Sequence, residues 1–200
     1  DYSPVRDIPH ESLVRKLLKN PDVTTGKAAA FLTFINTELK QVIHEGYPVD
    51  NDNAALFAHS LGGLFALHVL LEEPESFKRY CVLSPAIVWG HNEILDRARK
   101  FVERRDNLNA SVFMAIGDGE RSLAAVLGLP PAYRKDQDEL TRLFGNPDPV
   151  NLAQQFSDLL TAQNYTGLDM GPLRILPETN HDAAVIPGFS AGLLALFGLR

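Results

Sequence analysis

The chain has 200 residues, of which 45% are hydrophobic and 22% charged, and its formal net charge is −6. This composition is typical of a folded globular protein rather than a disordered one, and residues 1–200 can bury a core as one domain. The negative net charge argues against a nucleic-acid-binding protein, which needs a basic surface. The single cysteine, Cys81, excludes internal disulfides and cysteine-rich metal sites. The apolar stretch 189–199 is too short to span a bilayer.

The first quarter of the chain is predicted to hold helices but no strand. Residues 1–22 contain three prolines and are expected to form an irregular lead-in with one short helix over residues 11–18. Apolar residues then recur at i, i+3 and i+4 between residues 27 and 47, which predicts an amphipathic helix. The histidines of these segments, His10 and His44, are expected to be exposed.

The rest of the chain alternates between short apolar strands and helices. The predicted elements are strand 54–58, helix 61–71, strand 80–83, helix 93–104, strand 111–116, helix 152–162, strand 172–176 and helix 183–197. Residues 128–149 are polar, contain prolines and are expected to be an insertion or a loop-helix excursion. This alternation predicts an α/β fold with a mostly parallel sheet and helices on both faces.

The stretch AHSLGG is where the first predicted strand becomes a helix. In parallel α/β sheets the chemistry lies at the carboxyl ends of the strands. The candidate loops are therefore 58–63, 117–121 and 177–182. Ser60 has small residues two positions away on either side, Ala58 and Gly62, as required by the tight, strained turn that exposes a nucleophilic serine. The following helix would point its free N–H groups at the site, where they favour an oxyanion. The alternative is a buried serine in an accidental turn of small residues.

A serine nucleophile needs a base, and the chain offers six histidines. His181 follows the last predicted strand and comes after Ser60 in the chain order serine, acid, histidine, so it is the expected base; a surface loop histidine is the alternative. The orienting acid is expected in the Gly-Asp-Gly-Glu loop after the third predicted strand, where Glu120 is favoured over Asp118. The ring of His59 is expected to point away from Ser60.

Four segments carry a resemblance to a known family. They are ALFAHSLGGLFALHVLLEEPESFKRY, LSPAIVWGHNEIL, VFMAIGDGE and LPETNHDAAVIPGFSAGL. In this order they resemble the esterase D-type branch of the α/β-hydrolases, and most of all its siderophore (enterochelin and salmochelin) esterases. The resemblance implies a serine carboxylesterase of small-molecule esters with Ser60, His181 and Glu120 as catalytic residues. No feature calls for a metal or an organic cofactor.

The resemblance also implies roles around the reacting serine. The N–H of Leu61 would be one oxyanion donor, and Trp89 would line the acyl or aryl pocket. Independently of the resemblance, His59 is expected to be a second pocket residue. Simple packing under a loop is the alternative for Trp89. Some members of the group work with a Ser-His dyad, so it stays open whether Glu120 is needed.

The sequence departs from the family at several points. Ala58 replaces the usual glycine, and Val88 stands where many relatives have a second tryptophan. The family has strands before the DYSP segment that opens this sequence, and the loop after one of them supplies the second oxyanion N–H. We therefore expect these residues to be the carboxyl-terminal part of an α/β-hydrolase that lacks its amino-terminal strands.

Two other functions remain open at this point. The same machinery could transfer the acyl group to an alcohol or thiol, as acyltransferases of this superfamily do. From a different class, the domain could be a non-catalytic, hydrolase-like domain that binds a ligand or partner. The sequence does not choose between a bacterial cytoplasmic and a periplasmic location, and it leaves the oligomeric state open.

Overall fold

The computed structural model describes residues 2–129 and 134–198, and a five-stranded sheet lies at its centre. The strands are β1 (Ala55–His59), β2 (Arg79–Leu83), β3 (Ala110–Gly117), β4 (Leu168–Met170) and β5 (Arg174–Leu176). The first three are neighbours in chain order, and β3 pairs with β4 along its first residues and with β5 along its last. Every pair is parallel, which confirms the predicted sheet.

Helices cover both faces of the sheet, as predicted. They are α1 (Ile8–Leu18), α2 (Ala28–Phe34), α3 (Lys40–Gly46), α4 (Leu61–Glu72), α5 (Trp89–Val102), α6 (Leu123–Val126), α7 (Arg134–Phe144), α8 (Pro149–Thr161) and α9 (Val185–Phe197). Helices α4 and α8 cover one face of the sheet, and α5 packs against both of these helices. Helix α9 covers the other face. Among the described residues, no helix has the length and apolar content that a membrane span requires.

The alternation of side chains along β2 builds a separate core on each face of the sheet. Tyr80 and Val82 point into the larger core, and Cys81 and Leu83 point toward α9. The axis of α9 lies close to the sheet at Gly188, where a Cβ atom would be 2.8 Å from a methyl carbon of Leu83. A larger residue there would force the Leu83 side chain to shift.

The predicted elements between residues 54 and 116 are confirmed, with small shifts at their ends. The strands predicted at 54–58, 80–83 and 111–116 are β1, β2 and β3, each displaced or lengthened by a residue at its ends. The strand predicted at 172–176 is the three-residue β5, and β4 was not predicted, because strands this short show no periodicity. The polar excursion contains helix α7.

The first quarter of the chain is helical, as predicted, but its longest helix is not regular. The helix predicted over residues 27–47 consists of α2, a π-helical segment (Ile35–Leu39) and α3. Its amphipathic stripe is buried only in part: Ile35 lies in the core, while Phe34 is 41% and Val42 64% exposed.

The expectation that His10 is exposed is wrong, whereas His44 is exposed as expected. The predicted lead-in helix begins earlier, at Ile8, and this extra turn lays the ring of His10 against two aromatic rings. The ring centroids lie 4.9 Å from Trp89 and 4.0 Å from Phe144. His10 is consequently only 4% exposed.

Candidate active site

Ser60 stands at a sharp turn between β1 and α4. Its φ of 58° and ψ of −123° lie in a region that residues with a side chain rarely adopt. Backbone hydrogen bonds hold this conformation: the Ser60 N–H donates to the Leu83 carbonyl at 3.1 Å, and the Ser60 carbonyl accepts from Ala86 N–H at 2.9 Å. A strained serine at a strand-to-helix turn is the geometry of a nucleophile elbow.

Small residues give this turn the space it needs. At Gly63 an added Cβ atom would lie 2.9 Å from Cα of Pro85, so a side chain would collide with the loop that follows β2. At Gly62 an added Cβ would lie 3.7 Å from Cβ of Ala58, which is an ordinary van der Waals distance. The methyl group of Ala58 is therefore accommodated where the family usually has glycine.

The structure brings the three predicted catalytic side chains into one hydrogen-bonded chain. His181 Nε2 lies 2.9 Å from Ser60 Oγ, and His181 Nδ1 lies 2.6 Å from Glu120 Oε2. The carboxylate favours the tautomer with the proton on Nδ1, which leaves Nε2 free to accept the proton of the serine hydroxyl. Each residue follows the carboxyl end of a strand, and these ends meet at one edge of the sheet.

Glu120 is buried, 1% exposed, and its other oxygen is also bonded. Glu120 Oε1 accepts a hydrogen bond from Ser84 Oγ at 2.6 Å and one from the Gly117 N–H at 2.8 Å. Burial disfavours the charged form, but the hydrogen bonds from His181, Ser84 and Gly117 outweigh it and hold the pKa of Glu120 below its usual value. Glu120 is therefore ionised near neutral pH.

Asp118, the alternative acid, fixes the loop that carries His181. Its carboxylate accepts hydrogen bonds from the N–H groups of Glu178, at 3.0 Å, and Thr179, at 3.1 Å. These bonds lower the pKa of Asp118. Glu178 has a φ of 53°, so the loop makes a tight turn at this point. The structure thus places Glu120, and not Asp118, against the imidazole.

Trp89 and Leu61 line a cavity of about 250 Å³ that opens beside Ser60. Trp89 is buried, and its indole N–H donates to the carbonyl of Val5 at 3.0 Å, which fixes the ring. Leu61 is the first residue of α4, and the N–H groups of a first helical turn have no acceptor within the helix. That N–H therefore lies at the amino end of the helix, next to Ser60.

The prediction of His59 as a pocket residue needs correction, because His59 is not among the residues that line this cavity. Along β1 it is two positions from Phe57, which packs against Phe189 of α9, so both side chains point to that face of the sheet. The His59 ring packs 4.5 Å from the His181 ring, and its Nε2 lies 3.0 Å from the His181 carbonyl oxygen, to which it donates. Burial lowers the pKa of His59. His59 thus packs against His181 and hydrogen-bonds to its backbone, and it holds the His181 loop in place without lining the cavity.

Two residues of the site were not anticipated from the sequence. Ser84 bonds to Glu120, and its position directly after β2, next to Pro85, was the available signal. His10 lines the cavity from α1. No local motif marks it, since α1 is distant from the other site residues in the chain.

The chain matches a family described as "Putative esterase" over residues 11–139. It is 35% identical over 122 residues to the ferri-bacillibactin esterase BesA of Bacillus subtilis, covering 58% of this chain and 42% of that protein. It is 30% identical over 182 residues to a siderophore enterobactin esterase of Emericella nidulans, and the match covers 87% of this chain and 57% of that protein. The chain thus spans about half the length of these relatives.

Solved structures share this fold. The siderophore hydrolase EstA from Aspergillus nidulans superposes with a TM-score of 0.73 at 27% identity, over 97% of this chain and 63% of that one. The BES protein from Bacillus cereus superposes with a TM-score of 0.71 at 26% identity, over 98% of this chain and 62% of that one.

Proposed function

Because the chain belongs to this esterase family, we propose that the protein is a serine hydrolase that cleaves carboxylic esters through an acyl-enzyme on Ser60. The observation that carries the proposal is the continuous chain of hydrogen bonds from Ser60 through His181 to Glu120, beside a cavity of about 250 Å³. A serine hydroxyl is a weak nucleophile at neutral pH, and this arrangement supplies the base it needs.

In the first half of the reaction, Ser60 Oγ attacks the ester carbonyl carbon and its proton passes to His181 Nε2. The carbonyl π electrons move onto oxygen, and the resulting oxyanion is stabilised by the N–H of Leu61 and the amino end of α4. When the intermediate collapses, the C–O bond to the alcohol breaks and the alcohol oxygen takes the proton from His181. The acyl group remains bonded to Ser60.

In the second half, water replaces the alcohol. His181 Nε2 takes a proton from the water as its oxygen attacks the acyl carbon, and it returns that proton to Ser60 Oγ when the acid leaves. Throughout, the ionised Glu120 keeps the Nδ1 proton in place and stabilises the imidazolium that forms twice in each cycle. No step needs a metal or an organic cofactor.

We assign siderophore esters as the substrate class. The support comes from the relatives, since the proteins from Bacillus subtilis and Emericella nidulans are both named as esterases of siderophores. The mostly apolar cavity suits an aromatic or alkyl group next to the scissile carbonyl. An iron ion carried by such a siderophore would be part of the substrate.

The test is ester hydrolysis by the wild type and by Ser60→Ala. The substrates are 4-nitrophenyl butyrate and an iron-loaded trilactone siderophore, with the released monomers separated by chromatography. We expect Ser60→Ala to lose activity on both esters, and Ser157→Ala, which changes a buried serine of α8 outside the cavity, to keep it. Full activity of Ser60→Ala would exclude the proposal. Transfer products with added alcohols would favour an acyltransferase, and a wild type without activity would favour a binding domain.

A further inference from the structure

The cavity beside Ser60 has few polar side chains. Three of them, Ser60, His181 and Glu120, are bonded to one another, and the indole N–H of Trp89 is bonded to a backbone carbonyl. Among the described residues of the lining, His10 is the remaining polar side chain. In an apolar pocket, a small number of placed polar groups sets the orientation and the identity of the ligand.

The position of His10 is fixed on several sides. Its ring stacks at tilted angles on Trp89 and Phe144, with centroids 4.9 and 4.0 Å away. Asp7 holds the residue at the start of α1, where its Oδ1 accepts from the His10 N–H at 3.0 Å. The second oxygen of Asp7 lies 3.1 Å from His10 Nδ1. Neither ring nitrogen has a hydrogen-bond partner among the described residues, but Nδ1 has this carboxylate beside it, so Nε2 is the nitrogen that is left for a ligand.

His10 Nε2 is buried and has no hydrogen-bond partner in the described structure. A buried polar atom without a partner is unfavourable, and since His10 belongs to the lining of the cavity, a bound ligand is the candidate partner for it. Burial lowers the pKa of His10 despite the opposing effect of Asp7, so the ring is neutral near pH 7. The carboxylate beside Nδ1 favours the proton there, and Nε2 is then a hydrogen-bond acceptor.

Resting on the esterase function proposed above, we infer that His10 determines substrate specificity by accepting a hydrogen bond at Nε2 from a hydroxyl group of the bound ester. The ligand class is an ester whose apolar part, packed near Trp89, carries a hydroxyl. An ester without the hydroxyl would enter the same cavity but leave Nε2 unpaired. Sites built to bond a polar group reject analogues that lack it.

The test compares three chromogenic esters that differ only in a ring hydroxyl. They are the 4-nitrophenyl esters of 3-phenylpropanoic acid, 3-(3-hydroxyphenyl)propanoic acid and 3-(4-hydroxyphenyl)propanoic acid. The measured quantity is the ratio of kcat/KM for each hydroxylated ester to that for the unsubstituted ester. For the wild type we expect a ratio of about 10 for at least one hydroxyl position, the effect of one well-formed hydrogen bond.

Two variants of His10 and one control identify the residue responsible. His10→Phe keeps an aromatic ring at this place but removes the acceptor, so it should bring the ratio to about 1. His10→Gln keeps an acceptor and should retain part of the preference. The control is His68→Phe, since His68 is also a buried histidine with an unpartnered nitrogen but lies in α4 away from the cavity. It should leave the ratio unchanged.

Two results would overturn the inference while the esterase proposal stands. One is hydrolysis of all three esters by the wild type at equal kcat/KM, a measurement that needs no variant to fold. The other is a hydroxyl preference that survives in His10→Phe. Failure of the proposed esterase function would give a different result: none of the esters would be hydrolysed, and Ser60 would not react with a fluorophosphonate probe. That result would also overturn the inference about His10, because the inference rests on the esterase function.

Discussion

Replacing Glu120 by glutamine should nearly abolish ester hydrolysis, although it changes little of the shape of the site. A glutamine carbonyl oxygen can still accept from Ser84 and Gly117, which now bond to Oε1. Its NH₂ group would then face His181 Nδ1, where the carboxylate oxygen lies 2.6 Å away in the wild type. An N–H donor at that place favours the tautomer with the proton on Nε2, and this tautomer cannot accept the proton of Ser60.

The size of the effect follows from the burial of Glu120. The residue is 1% exposed, so water neither screens its charge nor replaces it beside the imidazolium. The corresponding change of the aspartate to asparagine in a Ser-His-Asp triad lowers kcat about 10⁴-fold. We expect a fall of about 10³- to 10⁴-fold in kcat for Glu120→Gln, or about 4 to 5.5 kcal/mol of transition-state stabilisation.

The assay is the steady-state hydrolysis of 4-nitrophenyl butyrate, with thermal unfolding to verify that each variant is folded. Asp118→Asn is the matched control, because Asp118 lies in the same loop but bonds to backbone N–H groups and not to the imidazole. It should cost less than about tenfold, through a looser His181 loop. A Glu120→Gln enzyme within about tenfold of the wild type would refute the reasoning and show that a Ser-His dyad suffices.

Three further predictions concern other buried groups. Ser84→Ala removes one of the two donors to Glu120 Oε1 and should lower kcat about tenfold in the same assay with little change in KM; an unchanged kcat would mean that Ser84 does not position the acid. Hydrogen bonds from Arg6 and Thr25 lower the pKa of Glu11 from 4.5 to about 2, so its contribution to stability is complete above pH 4.5 and is lost as the pH falls toward 2. In denaturant titrations, Glu11→Gln should therefore be less stable than the wild type at pH 7 and approach it toward pH 2; a constant difference would contradict this. Burial raises the pKa of Cys81 to about 12, so the thiol should react with Ellman's reagent only after denaturation, and rapid reaction of the native protein would contradict its burial.

The parts of the fold that the sequence predicts well are those with strong local signals. Strands β1, β2 and β3 are apolar runs bounded by turn residues, and α4 follows directly after the small-residue turn at Ser60. Such patterns indicate the type of an element and, through the parallel topology, which loops share an edge of the sheet. The candidate loops are found together at that edge in the structure.

The missed features depend on contacts between distant parts of the chain. His10 is buried because α1 packs against Trp89 and Phe144, which lie far along the sequence. His59 faces away from the cavity because the pleat of β1 turns alternate side chains to opposite faces, a consequence of where the strand begins. Ser84 meets Glu120 only because the ends of β2 and β3 are neighbours in the sheet.

The central claim, that Ser60 is the nucleophile, is tested most directly by mass spectrometry of the protein after reaction with a fluorophosphonate. A single adduct on the peptide that contains Ser60 is expected, formed with loss of esterase activity in equal proportion and absent in Ser60→Ala. An active protein that carries no adduct, or one whose adduct lies on another residue, would contradict the account.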